Sequence, residues 1–278
     1  MGPLRYEVTA YNATHDSENK IHDDAVARRF GFAGGLVASA EIYAYMTQGP
    51  VRRWGRAWIE HGASECRFLK PVYDGDVASV TATEADADLA IAVESRGEVC
   101  ATGAARMPAA DRPPPLEQIA RVAQFSSRPP ADETSLAPGV KLGLAPLAVT
   151  PEFQARYLEE VRETLPLYAD ERLVHPGLML RLANSVIKYN VLLGPWIHVA
   201  STVRHFAAAP VGCALTAQAT ILANYERKGH RLFDADVFVL ADERTLVAHV
   251  KHTAIYRPRQ VAEVSQIDER RSGLDGRG

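Results

Sequence analysis

Residues 67–83 read RFLKPVYDGDVASVTAT and residues 204–222 read RHFAAAPVGCALTAQATIL. The two stretches share a layout. Arg67-Phe68 opens one and Arg204-His205 the other, and eight steps lead from Arg67 to Gly75 as from Arg204 to Gly212. An alternating apolar run follows each glycine, at 77–83 and 215–222, and a Trp-Ile pair precedes each stretch, at Trp58-Ile59 and Trp196-Ile197. Each copy then closes with a longer alternating pair, 89–94 with 99–107 and 233–240 with 246–256. Period-two alternation broken by Gly, Asp or Asn predicts antiparallel strands with one face buried. Upstream of each set lies one apolar segment at helical spacing. The first covers 36–47 and is entered through Phe32-Ala33-Gly34-Gly35. The second covers 178–192, is entered through His175-Pro176-Gly177, and stops at Gly194-Pro195. Both segments are apolar over much of their surface, so each is expected to be wrapped by its sheet. The reading is an α+β chain of two tandem repeats, each a long central helix against a curved antiparallel sheet.

Between the repeats, residues 108–151 carry nine prolines, Pro108, Pro113, Pro114, Pro115, Pro129, Pro130, Pro138, Pro146 and the closing Pro151, a density that excludes a long helix or a central strand. The expected division is a first repeat at 1–107, a Pro-rich connector at 108–151 with a short helix at 116–125, a second repeat at 152–259, and a polar, frayed tail at 260–278. With 278 residues, 47% of them hydrophobic and 23% charged, the composition is that of a globular protein. The formal charge of −3 argues against nucleic-acid binding. No run approaches a membrane span, and the N-terminus has no apolar core of the signal-peptide kind. Cys66, Cys100 and Cys213 are widely spaced with no metal or redox spacing, so no metal or cofactor is expected and the cysteines read as reduced, in a cytoplasmic protein.

Chemistry concentrates before the first helix, in Asn12-Ala-Thr-His15-Asp16-Ser17-Glu18-Asn19-Lys20-Ile21-His22-Asp23-Asp24. A histidine and a carboxylate five or six positions apart converge on one water if the loop folds back, the imidazole acting as base while the acid orients the water or supplies a proton. The plainer reading is a polar approach to a helix, with Asp23 and Asp24 in a first turn. The stretch resembles the MaoC-like family of hot-dog hydratases and dehydratases, whose signature runs Asp-x-Asn-Pro-x-His-x-Asp and then Gly-Phe before a helix. Asn19, Lys20, Ile21, His22, Asp24 and Gly31-Phe32 follow that order over about 20 residues. The resemblance implies a double hot-dog fold and an Asp/His pair that activates water for addition to an enoyl thioester. It makes His22 the base or acid. Counting back from His22 puts the family Asp on Ser17; counting from Gly31-Phe32 puts it on Asp16, the preferred match, with Glu18 the third choice. The family Pro is Lys20, and the helix-opening His-Gly is Ala38-Ser39. Catalytic roles are therefore expected for Asp16 and His22, and substrate binding for Ser17, Asn19, Gly34, Gly35 and Ser39. Gly34 or Gly35 is the candidate backbone donor to a thioester carbonyl.

The second repeat has no matching Asp/His loop. His175-Pro176-Gly177 resembles the family's helix-opening His-Gly, and either a cap or a site role suits His175. His198, His205, His249 and His252 fall on strand patterns and read as packed or edge histidines. Arg28, Arg29, Arg52, Arg53 and Arg56 read as phosphate contacts or as solvated helix flanks, and Tyr43 and Tyr45 as core. The leading expectation is a hydro-lyase acting on an acyl-CoA or acyl-carrier thioester, as a monomeric pseudo-dimer or a homodimer. A hot-dog thioesterase and an inactive acyl-binding or assembly protein are the alternatives.

Overall fold

The computed structural model describes residues 2–14, 17–29, 31–109 and 112–259. Asp16, the preferred acid, and the tail expected to fray lie outside the described residues. The first half contains β1 (Leu4–Thr9), α1 (Asp24–Arg29), α2 (Ser39–Trp54), α3 (Arg56–His61), β2 (Ala63–Phe68), β3 (Val77–Ala85), β4 (Asp88–Ser95) and β5 (Glu98–Arg106). Then come β6 (Lys141–Gly143), β7 (Leu147–Ala148), α4 (Pro151–Glu160), α5 (Leu167–Asp170), α6 (Gly177–Lys188), β8 (Ile197–His205), β9 (Ala214–Arg227), β10 (His230–Ala241) and β11 (Thr245–Arg257). The strands form one antiparallel sheet in the order β1-β3-β4-β5-β2-β8-β11-β10-β9-β6, with β7 also on β9.

That order is palindromic, and the register at its centre shows why the two sequence stretches match. The offset that carries Arg67 to Arg204 carries Ala63 to Ala200. β2 and β8 pair as Ala63↔Arg204, Glu65↔Thr202 and Arg67↔Ala200, so exchanging the strands reproduces the pairing. A pseudo-twofold axis therefore passes between Glu65 and Thr202. Inside the curved sheet, α2 lies against β1, β3, β4 and β5, α6 lies against β6, β9, β10 and β11, and the two helices touch each other. A Cβ on Gly177 would lie 2.6 Å from the Cβ of Ala44 and 2.7 Å from the Tyr157 hydroxyl, so glycine permits this close approach. Arg181 of α6 fastens the contact with ion pairs to Glu41 of α2 (2.6 Å) and Glu160 of α4 (2.8 Å).

Several local expectations are corrected. The first helix begins at Ser39 rather than 36 and runs past 47, through Pro50, to Trp54. Proline removes one intrahelical hydrogen bond, but every residue from Ala40 to Val51 is buried and packing holds the helix until Gly55, at φ 59°, ends it. The second helix stops at Lys188, short of 192, because the Asn190 side chain turns back to the carbonyls of Val186 (2.7 Å) and Gly143 (2.8 Å). The connector's expected helix is only a 3-10 turn, Leu116–Gln118, and beyond it Val122 N–H is taken by the Gln218 side chain (2.9 Å). The connector also supplies β6 and β7, which pair with β9. Trp58-Ile59 is not equivalent to Trp196-Ile197: the first pair is on α3, whereas Ile197 opens β8. An apolar dipeptide reports burial, not element type. The N-terminal stretch, read only for its lack of a signal core, forms β1 on β3. Among the described residues, no helix is long and apolar enough to cross a membrane. All three cysteines are buried and free.

Candidate active site

The loop leading to α2 is built around His22, which closes a 3-10 turn at Lys20–His22. Its carbonyl accepts from Asn12 Nδ2 (2.8 Å), and its Nδ1 lies 2.6 Å from the Leu36 carbonyl oxygen. A carbonyl only accepts, so Nδ1 carries the proton and Nε2 keeps its lone pair. Burial pushes the imidazole below its ordinary pKa of 6.5, against the opposing Leu36 hydrogen bond, so it is neutral near pH 7. The Nε2 atom lies 3.3 Å from Asn19 Nδ2.

Asn19 also joins the loop to the second half. Its Nδ2 donates to the Trp196 carbonyl (3.1 Å), and its Oδ1 accepts the Trp196 N–H (3.3 Å). One residue earlier, Arg128 grips Glu18 with two hydrogen bonds (3.1 and 2.7 Å). The polar loop is thus strapped across the seam between the halves. There, a small cavity of ≈ 50 Å³ is lined by Asn19, His22, Ser39, Asn184, Trp196 and His198, among others. It shares Leu36, Val37, Ser39, Ile197 and His198 with a second cavity of ≈ 190 Å³, whose further walls include Phe32, Ile42, Phe68 and Val72. The combined cleft has a polar end at His22 and an apolar end beside β2. Ser39 starts α2 at the junction. In its first turn the Glu41 N–H is taken by the Ala38 carbonyl (3.0 Å), which leaves those of Ser39 and Ala40 as the donor surface.

The structure therefore brings Asn19, His22 and Ser39 together. Ser17 turns back on its own loop, its hydroxyl 3.3 Å from the Asn19 carbonyl. Glu18 is mostly exposed and committed to Arg128. Gly35 is corrected as a carbonyl donor, because its N–H is bound to Asp24 Oδ1 (2.7 Å) and neither Gly34 nor Gly35 is part of the helix. Gly35 is needed for another reason: a Cβ there would collide with the His22 carbonyl oxygen. Asp23 and Asp24 take the plainer role, Asp23 Oδ1 accepting the Val26 N–H (2.9 Å) at the start of α1. His175 is a cap: its Nδ1 accepts the Gly177 N–H (3.0 Å) and its Nε2 donates to buried Glu163 (3.1 Å). Burial raises Glu163, but the His175 bond and the amides of Leu165 and Thr164 outweigh it and hold the carboxyl below its ordinary range. Arg28, Arg53 and Arg56 pair with carboxylates, and Tyr43 and Tyr45 are core.

Sequence reasoning gave Asn184 no role, used Trp196 only as a mark of the repeat and left His198 as a packed or edge residue. Asn184 had a readable signal. It lies four residues after Leu180 and three before Ile187, both fully buried, so an amide interrupts the inward stripe of α6, and its Oδ1 has no hydrogen-bond partner. His198 depends on a local irregularity of β8 that no periodicity reveals.

No protein-family model matches the sequence, and no curated protein matches it. Solved structures do. A protein assigned as a MaoC domain dehydratase from Chloroflexus aurantiacus aligns at TM-score 0.61 and 12% identity, over 92% of this chain and 95% of its own. A conserved Mycobacterium tuberculosis protein with a double hotdog fold aligns at 0.61 and 14%, over 91% and 95%. A protein assigned as a thioesterase from Novosphingobium aromaticivorans aligns at 0.50 and 12%, over 91% and 96%. At such identities the likeness concerns architecture, and the palindromic sheet around two central helices agrees with it. The chain has the double hot-dog fold, which it shares with MaoC-like dehydratase domain proteins.

Proposed function

We propose that the chain is a hydro-lyase that adds water reversibly to a 2-enoyl thioester carried by coenzyme A or an acyl-carrier protein. The observation that carries this reading is the neutral His22, its Nδ1–H fixed by Leu36, at the polar end of a cleft whose other end is apolar. In the proposed step, water displaces the long Asn19 contact at Nε2, which takes a proton from it as the water oxygen bonds to Cβ. The π pair moves to Cα and the thioester oxygen, where amides of the first turn of α2 receive the developing charge. Asp16 relays a proton from solvent to Cα, and solvent takes up the one held on His22. Ser39 and Asn184 border the same space and suit the carbonyl and the attacking water.

A second reading, hydrolysis of the thioester, is supported by the likeness to the protein assigned as a thioesterase, at TM-score 0.50 over 91% of this chain. Water held beside His22 would then attack the carbonyl carbon and expel the thiol. Loss of crotonyl-CoA absorbance without thiol release is expected for wild type, and His22→Ala should lower the rate by about 10²–10⁴-fold. Thiol release at the same rate as absorbance loss would identify a thioesterase. Binding of the thioester without either signal would leave an acyl-binding protein.

A further inference from the structure

β8 contains an irregularity placed beside the cleft. Along β8 the inward positions are Ser201, Val203 and His205, all buried. Stepping back by two would bring Val199 inward. Instead the register with β11 slips between Thr253↔Ala200 and Ala254↔His198, leaving Val199 as the extra residue of a bulge, and His198 becomes the buried residue. Bulges re-aim side chains in this way beside sites. The result is that His198 and Ser201, three residues apart, face the same side: His198 Nε2 lies 2.8 Å from Ser201 Oγ, which lies 3.2 Å from His252 Nδ1 of β11. The centroids of the two rings are 4.3 Å apart, and the Phe68 ring lies 4.8 Å from that of His198. His198 borders both cavities, the one that holds His22 and the apolar one that holds Phe68.

A serine hydroxyl has one proton, so it donates to one ring and accepts an N–H from the other. The tautomers of His198 and His252 are thereby coupled. Burial, reinforced by the neighbouring His252, pushes His198 well below the ordinary histidine range, and burial takes His252 down to about 3. Both rings are neutral near pH 7. A buried hydroxyl–imidazole ladder of this kind is more than packing requires, since leucine or phenylalanine would fill the volume without three polar groups to satisfy.

We propose that His198 is a second substrate-contacting residue, contributed by the other half of the chain: an uncharged hydrogen-bonding group for the thioester end of the acyl ligand, with Ser201 and His252 as its positioning residues. This rests on the acyl-thioester reading but not on hydration or hydrolysis as the reaction. The probe is the ketone analogue of butyryl-CoA, in which a methylene replaces the thioester sulfur. It keeps the carbonyl, resists hydrolysis and has no double bond to hydrate. In wild type carrying ¹⁵N-histidine, binding should shift the ring nitrogens of His198. His198→Phe should raise Kd at least tenfold. Ser201→Ala, which keeps the ring but frees its tautomer, should alter the His198 ring signals of the unliganded protein and raise Kd at least threefold without loss of folded far-UV signal. If His198→Phe does not fold, the wild-type titration and Ser201→Ala decide the matter. Wild-type binding with unmoved His198 signals and unchanged variant affinity removes His198 from the site and leaves the acyl-thioester reading intact. An analogue that does not bind wild type removes both.

Discussion

The Leu36 carbonyl takes the Nδ1–H of His22, and that one contact decides which nitrogen can act on a substrate. Only the neutral ring offers an Nε2 lone pair. Because burial lowers the His22 pKa, the base form persists below pH 6.5. Turnover should therefore stay flat as pH falls through 6.5 and decline only below it, which a kcat/KM profile between pH 4.5 and 8 would show. An acidic limb centred above 6.5 would contradict the assignment. Asn19 acts at the same scale. One amide group touches both Nε2 of His22 and the backbone of Trp196, so the base is positioned by a residue from beyond the connector. Asn19 and His22 were legible in sequence because a polar cluster before an apolar helix is conspicuous. Asn184 left a signal, an amide in the inward stripe of α6, that sequence reasoning passed over, and His198 left none, since its burial depends on the bulge in β8.

Elements act through where they touch. α2 and α6 meet at Gly177, and a methyl group there faces Ala44 and the Tyr157 hydroxyl at distances that force displacement. Gly177→Ala should cost about 1–3 kcal/mol despite alanine's better helix propensity, read as a lower denaturant midpoint at unchanged m-value. The strands β8 and β11 carry a different liability. Burial lowers His205, which also faces Arg204, and His252 to about 3 each. The folded values lie below the unfolded value near 6.5, so the unfolded chain binds more protons between about pH 3 and 6.5. The stability these neutral rings permit is therefore fully present above about pH 6.5 and is lost as pH falls toward 3. Denaturant midpoints at pH 7.5 and 5 should show the loss, and His252→Phe should make it smaller. An unchanged pH slope in the variant would count against this account.

At the scale of the molecule, the hydrogen-bonded path runs without a break through β2 and β8, and one core cluster includes residues of both halves, from Val8 to Tyr256. The halves should then unfold together. A variant keeping only Trp196 (Trp54→Phe, Trp58→Phe) should show the same denaturant midpoint by fluorescence and by far-UV circular dichroism, whereas two midpoints would reveal independent halves. Sequence alone determined the repeat, because strand alternation and the equal spacing from Arg67 to Gly75 and from Arg204 to Gly212 are local patterns that the pleat imposes. It also marked the loop at His22. Only the tertiary structure decided that the two copies join edge to edge through Glu65 and Thr202, that α2 persists through Pro50, and that the cleft draws Asn184, Trp196 and His198 from the second half. Those outcomes depend on contacts between residues more than a hundred positions apart, and on one bulge that changes which side of β8 faces inward. Periodicity records which residues are apolar and how they alternate; it holds no term for what they will meet.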